Sequence, residues 1–213
     1  MNELVRFTNL LKQRKYAVED LDRFAELIEP IRDSAGLVGY RMKPLAEADR
    51  VTQRCEVLLQ YTWACRDYVK KILKAHGITD PGLVVNRYIR DSREIQVVSY
   101  LANAHKHAGT GSSQQWAVEL APRLGKPYVL GQQHSFPHQL KPTVMIRGDS
   151  FPELEFMGSA RIGDEVHEFT SFEWRYCCEI EDKDGNRIGS VWGACQVAFQ
   201  TWLTILIDKG ISV

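Results

Sequence analysis

The chain has 213 residues, 44% of them hydrophobic and 25% charged, with 27 Lys and Arg against 27 Asp and Glu. That length suffices for one domain with a full core or two small ones, and a single domain spanning 1–213 is expected. A formal net charge of zero leaves no broad basic face to hold a long phosphate backbone by counterion release, so extended DNA binding is not expected. The five cysteines, Cys55, Cys65, Cys177, Cys178 and Cys195, are odd in number, include no CxxC pair and sit in apolar stretches, which fits a reducing cytosol. Asn2, Glu3 and Arg6 interrupt the first apolar residues, so no signal peptide is expected. The most apolar stretch, Val191–Ile207, is broken by Gln196, Gln200, Thr201 and Thr204 and falls short of a membrane span. The chain reads as cytoplasmic, without membrane contact.

In chain order, Ala17, Leu21, Phe24, Ile28 and Ile31 recur at spacings of three and four, predicting a first amphipathic helix that ends before Gly36 and extends backwards through Leu4, Phe7 and Leu11. Val51, Cys55, Leu58, Thr62, Cys65, Val69 and Ile72 continue the period in a second helix over 45–76, closed by Gly77. Asp80-Pro81-Gly82 reads as a turn, and a third helix starts at Asp91 or Ser92, either of which can cap it, and ends before Gly109. Three helices are thus expected before residue 110.

From 111 to 189 prolines and glycines are too frequent for helices, and 143–146 and 154–157 read as short strands. Phe172, Trp174, Tyr176, Cys178 and Ile180 alternate with Glu173, Arg175, Cys177 and Glu179, as in a strand with one apolar and one mostly charged face. Asp182-Lys183-Asp184-Gly185-Asn186 follows as a hairpin turn, without the twelve-residue spacing and closing Glu of a calcium loop. In the last segment, 190–213, helical periodicity returns from Val191 and runs until Gly210, and Cys195, Phe199, Trp202 and Leu206, with Leu203, Ile205 and Ile207, make the helix apolar around most of its circumference. The architecture expected is α+β and mainly α: a four-helix bundle with a small antiparallel β insertion between its third and fourth helices. Surplus apolar surface on the last helix suits a homodimer.

The third helix carries the chemistry. At 100° per residue, Ile95, Val97, Val98, Leu101, Ala102 and Ala108 share one broad face with His105 in its middle. Opposite, Arg93, Gln96, Tyr100, Asn103 and His107 fall in a narrow stripe, with Ser99 and Lys106 at its edge. The words Leu101-Ala102-Asn103-Ala104-His105-Lys106-His107, followed by the hairpin and a Trp-containing last helix, resemble a group of uncharacterised bacterial proteins with a "DLANAxKH" signature. That group is similar to the HEPN superfamily of four-helix bundles.

Active HEPN proteins are metal-independent ribonucleases, often toxins or antiphage effectors, whose Arg-x(4 to 6)-His motif on the third helix meets its copy across a dimer. The resemblance implies a place in a bacterial defence, toxin–antitoxin or regulatory system. Here the residues four to six places before His107 are Leu101, Ala102 and Asn103, and those before His105 are Ser99, Tyr100 and Leu101, so the arginine is missing. Ser99-Tyr100 also replace the Arg-Asp common in the signature group. Arg93 lies fourteen residues before His107, about 20 Å along the axis.

Two readings follow from the resemblance. In one, the fold is catalytically silent and binds a partner protein or a small ligand, with Asn103, Lys106 and His107 holding helix three to its neighbours or shaping an interface and His105, Tyr100 and Arg93 in supporting roles. In the other, an RNA-cleaving dimer uses two copies of His107 as base and acid, Asn103 orients the ring and Lys106 holds the phosphate. A third reading makes His134 and His138, with His105 or His107, ligands of a transition metal, although Pro137 between the pair keeps them off one helical turn. No cofactor motif appears: Gly109-Thr110-Gly111-Ser112-Ser113 follows a helix without a GK[ST] ending, and no Gly-x-Ser-x-Gly or cysteine-nucleophile context is present. No resident metal or other cofactor is expected on the first two readings. Trp174, Tyr176, Trp192 and Trp202 follow the periods of their elements and read as core or interface.

Overall fold

The computed structural model of the chain describes residues 3–23, 28–34, 36–42, 48–104, 119–135, 143–147, 154–157, 159–162 and 165–212. It is α+β and mainly helical, in the order α1 (Glu3–Arg23), β1 (Ile28–Asp33), β2 (Gly36–Met42), α2 (Ala48–Ala75), α3 (Pro81–Asp91), α4 (Arg93–Ala104), β3 (Arg123–Ser135), β4 (Thr143–Arg147), β5 (Leu154–Met157), β6 (Ser159–Ile162), β7 (Glu165–Glu181), β8 (Arg187–Ser190) and α5 (Val191–Ile207). Among the described residues no helix is long and apolar enough to cross a membrane. The chain forms two compact units. One comprises Met1–Val18, Gln53–Gly125 and Cys178–Val213, and the other Glu19–Thr52 and Lys126–Cys177.

The long helix α2 follows its sequence period closely. Val51, Cys55, Leu58, Thr62, Cys65, Val69 and Ile72 are each exposed by 1% or less. Its end is the expected glycine stop. Gly77 takes a positive φ of 75°, which lets Ile78 N donate to Leu73 O at 3.0 Å and Gly77 N to Lys74 O at 3.1 Å, satisfying carbonyls the helix leaves over. Gly210, at φ 70°, closes α5 the same way, with Ile211 N donating to Leu206 O at 3.0 Å and Ile211 itself buried.

The helical unit is built around α5. Its Trp202 is fully buried, donates Nε1–H to Thr62 O of α2 at 3.0 Å and lies 6.2 Å from the Trp63 ring at 57°. Ala194, Cys195, Ala198, Ile205 and Leu206 are buried with it. Helix α5 packs on α4, meets α1 through Arg14 and Cys195 O, and meets α3 through a 2.9 Å bond from Tyr88 OH to Asp208 Oδ2 just past its end. A helix apolar on most sides is covered on several of them, as its composition requires.

Three sequence expectations are corrected. Ile28 and Ile31 do not continue the first helix: α1 stops at Arg23 and both lie on β1, paired antiparallel with β2. Pro30 between them has no N–H and would break a helical bond, while β-branched isoleucines fit a strand; Phe24 lies outside the described residues. Secondly, 80–82 is not only a turn. Asp80 takes φ 52° and Pro81 opens α3, where a missing N–H costs nothing, so among the described residues four helices precede residue 105. Ser92 then separates α3 from α4 in an extended conformation, and its Oγ accepts from Ile95 N at 3.3 Å, capping α4 as expected. Thirdly, over 176–180 the face of β7 expected to be mostly charged is covered as well as the apolar one. Cys177 and Glu179 are as buried as Tyr176, Cys178 and Ile180, and Glu179 Oε1 is met by Arg187 Nε at 3.1 Å.

The strands between α4 and α5 form a five-stranded sheet ordered β4-β3-β7-β6 with β8 also on β7, while β5 joins the early hairpin as β1-β2-β5. Gly39 to Met42 of β2 face Met157 to Leu154 of β5 in antiparallel register, so the insertion is completed by strands that precede α2. The β7–β8 turn is held by Asp182, whose Oδ1 accepts from Asp184 N at 2.9 Å and Asn186 N at 2.8 Å, with Gly185 at φ 84°.

Candidate functional site

Helix α4 buries Ile95, Val97, Val98, Leu101 and Ala102 at 5% exposure or less. Arg93 is exposed and Gln96, Tyr100 and Asn103 are part-exposed on the other side. Ser99, expected at the edge of the polar stripe, is instead 1% exposed, and its Oγ has no hydrogen-bond partner. Gln96 serves the fold: its Nε2 donates to Arg90 O at 2.9 Å, satisfying a carbonyl in the last turn of α3. His105, Lys106 and His107 lie outside the described residues, as do the glycine-rich 109–113 and His138. His134 falls on β3. Among the described residues no group of three His, Cys, Asp or Glu could hold a metal ion.

The motif's four to six residues are intervening ones, so the positions counted above shift back by one place: an arginine acting with His107 would stand at Ala102, Leu101 or Tyr100, not at Asn103. Ala102 and Leu101 are 2% and 5% exposed, so of these three positions Tyr100 is the one on the outward side of α4.

An open groove of about 350 Å³ starts at the first turns of α4 and runs along β8 to the first turns of α5; Arg93, Glu94, Val97, Arg187, Gly193 and Val197 are among its walls. Ser190 caps α5 at this point, its Oγ accepting from Gly193 N at 3.1 Å. A second groove of about 580 Å³ lies along α3, between Leu83, Arg87, Tyr88, Asp91 and Lys209. Its Tyr88 hydroxyl is raised above the ordinary phenol range, first by the hydrogen bond to Asp208 and then by burial.

Arg14 is a buried cation that sequence reasoning passed over. It stands at 9% exposure on the inward stripe of α1 with Phe7, Leu10 and Ala17. Its Nε donates to Thr62 Oγ1 at 3.4 Å, its Nη2 to Cys195 O at 3.5 Å, and its guanidinium lies 4.0 Å from the Phe199 ring centroid. Burial lowers its pKa below the usual arginine value, and nearby Cys195 and Cys65 oppose that shift. Burial likewise pushes the Cys65 thiol up to about 12 against the pull of Arg14, so this cysteine stays a neutral thiol and not a nucleophile. The signal available was position: Arg14 stands four residues after Leu10 and three before Ala17, on the apolar line.

No family model, curated protein or solved structure matches the chain. The site is therefore read from its own geometry.

Proposed function

We propose that the chain is a HEPN-like module that binds a partner protein in a bacterial defence, toxin–antitoxin or regulatory system and does not cleave RNA. The observation that carries this reading is the inward placement of Leu101 and Ala102, two of the three places from which an arginine could act with His107. A guanidinium at either would have to enter the apolar core of the helical unit, which costs several kcal/mol without a partner. Tyr100 and Asn103, part-exposed on the other side, supply an aromatic body and hydrogen-bonding groups suited to a protein contact.

The test is incubation of purified protein with total cellular RNA, with and without chelator, beside the His107→Ala variant. The RNA profile stays unchanged in every lane. Chelator-resistant cleavage that His107→Ala abolishes would overturn the proposal in favour of a metal-independent ribonuclease working across a dimer. Cleavage stopped by chelator would overturn it in favour of a histidine-ligated metal enzyme.

A further inference from the structure

We propose that the groove along α3 docks an amphipathic helix of a partner protein that presents a basic, an acidic and an apolar residue at successive turns; this rests on the partner-binding reading and adds to it the surface and the chemistry of the occupant. The groove lies between Leu83, Val84, Arg87, Tyr88, Asp91 and Lys209. Leu83 is 69% exposed, the most open large hydrophobic side chain among the described residues, and Val84 and Tyr88 beside it are only part-covered. Arg87, Asp91 and Lys209 are exposed, and among the described residues none of the three has an ion pair or a side-chain hydrogen bond.

Local chemistry leaves these charges unmet. Arg87 and Asp91 stand four residues apart, the spacing of a helical ion pair, but base before acid is the weaker order. Lys209 comes from the other wall, and its backbone is fixed: Lys209 N donates to Leu206 O at 3.1 Å and the Gly210 stop follows. The bond of 2.9 Å from Tyr88 OH to Asp208 Oδ2 ties this end of α5 to α3. Two cations thus border one groove from two elements held together. Along α3 the groove reads apolar at Leu83, basic at Arg87 and acidic at Asp91, each about 6 Å along the axis from the next.

A helix laid antiparallel to α3 answers this order with Lys-x-x-x-Glu-x-x-x-Leu. Its lysine meets Asp91, its glutamate meets Arg87 and Lys209, and its leucine covers Leu83 and Val84. Antiparallel helix dipoles attract, and lysine before glutamate leaves the occupant's own charges unpaired for α3, by the same rule of order. A phosphate backbone or an anionic membrane would meet Asp91 and Asp208 beside the two cations, whereas such partners select unbroken rows of Lys and Arg. A second copy, set antiparallel with each Arg87 against the other Asp91, would place Leu83 opposite Ile95, which lies beyond α3 and is fully buried.

The experiment is fluorescence anisotropy of the full chain with two labelled alanine-rich helical peptides of about 20 residues. One carries Lys-x-x-x-Glu-x-x-x-Leu, and the other has its Lys and Glu exchanged at the same composition and net charge. The matched peptide binds about tenfold tighter, because the exchange turns attraction into repulsion at two exposed positions. Leu83→Ser weakens binding of the matched peptide by about tenfold. Arg87→Glu with Lys209→Glu reverses the preference between the peptides, and circular dichroism melts verify that each variant is folded. No binding of the matched peptide at about 1 mM, equal affinity for the two peptides, or a preference unchanged in the double variant would overturn the proposal. A chain that sediments as a dimer and is split by the double variant would overturn it in favour of a second copy. RNA cleavage in the assay above bears on catalysis alone, so a failure of the groove and a failure of the functional reading are told apart.

Discussion

Replacing Arg14 by Met stabilises the protein slightly or leaves it unchanged, whereas Arg14→Ala destabilises it. The guanidinium is held by two hydrogen bonds of 3.4 and 3.5 Å, both long enough to count for only about 0.5 kcal/mol each. Its contact with Phe199 at 4.0 Å contributes up to about 2 kcal/mol in a desolvated setting. Against this total of about 3 kcal/mol stands the desolvation of a cation, itself several kcal/mol. Among the described residues no carboxylate pairs with it. Methionine keeps most of the unbranched stem and removes the charge, so the two sides nearly cancel and the net change lies within about 1 kcal/mol of zero or on the stabilising side. Alanine also removes buried methylenes and leaves a cavity near Phe199, which places it about 2 to 4 kcal/mol below the Met variant. Urea unfolding of the three proteins, compared at constant slope, reads both differences. An Arg14→Met variant as unstable as Arg14→Ala would refute the reasoning, since the guanidinium and not its stem would then be holding α1 to α2 and α5.

Ser190→Ala removes the oxygen that accepts from Gly193 N at 3.1 Å, so thermal unfolding should register a loss of about 1 kcal/mol, the usual cost of an N-cap; an unchanged melt would mean that α5 gains nothing from this cap. Asp182 has its pKa lowered by hydrogen bonds, first from the backbone and side chain of Asn186 and then from Asp184 and Gly185. A depressed folded-state pKa gives stability that is present above the unfolded carboxylate pKa and lost as pH falls through the folded one. The wild-type advantage over Asp182→Asn therefore shrinks below about pH 4, and melts in acid that show the advantage growing would reverse the assignment.

Local signals on this chain were legible and non-local ones were not. The seven buried positions of α2, the glycine stops at 77 and 210, the Asp182 turn and the Ser92 cap all follow from residues within a few places of each other. The early hairpin was hidden because Ile28 and Ile31 satisfy a helical spacing and a strand equally, and the strand that completes their sheet, β5, lies more than a hundred residues later. Helix α3 was hidden because Pro-Gly reads as a turn, although proline is at home in a first helical turn. On α4 the inward and outward faces were readable from the period except at Ser99, expected at the polar edge and found 1% exposed. That Gln96 is engaged with Arg90 O was not, because that bond depends on how α3 ends. Arg14 was missed because a charged residue on an apolar line reads as a break in it.

The functional reading stands on which side of α4 faces outward, and thiol labelling tests it directly. All five native cysteines are buried, so the wild type provides a low background for single introductions. Asn103→Cys should react with a maleimide within about tenfold of a free thiol, while Ala102→Cys and the native cysteines react only on unfolding. Labelling of Ala102→Cys in the folded protein as fast as that of Asn103→Cys would contradict the account, because one of the two places held to be closed to an arginine would then be open to solvent.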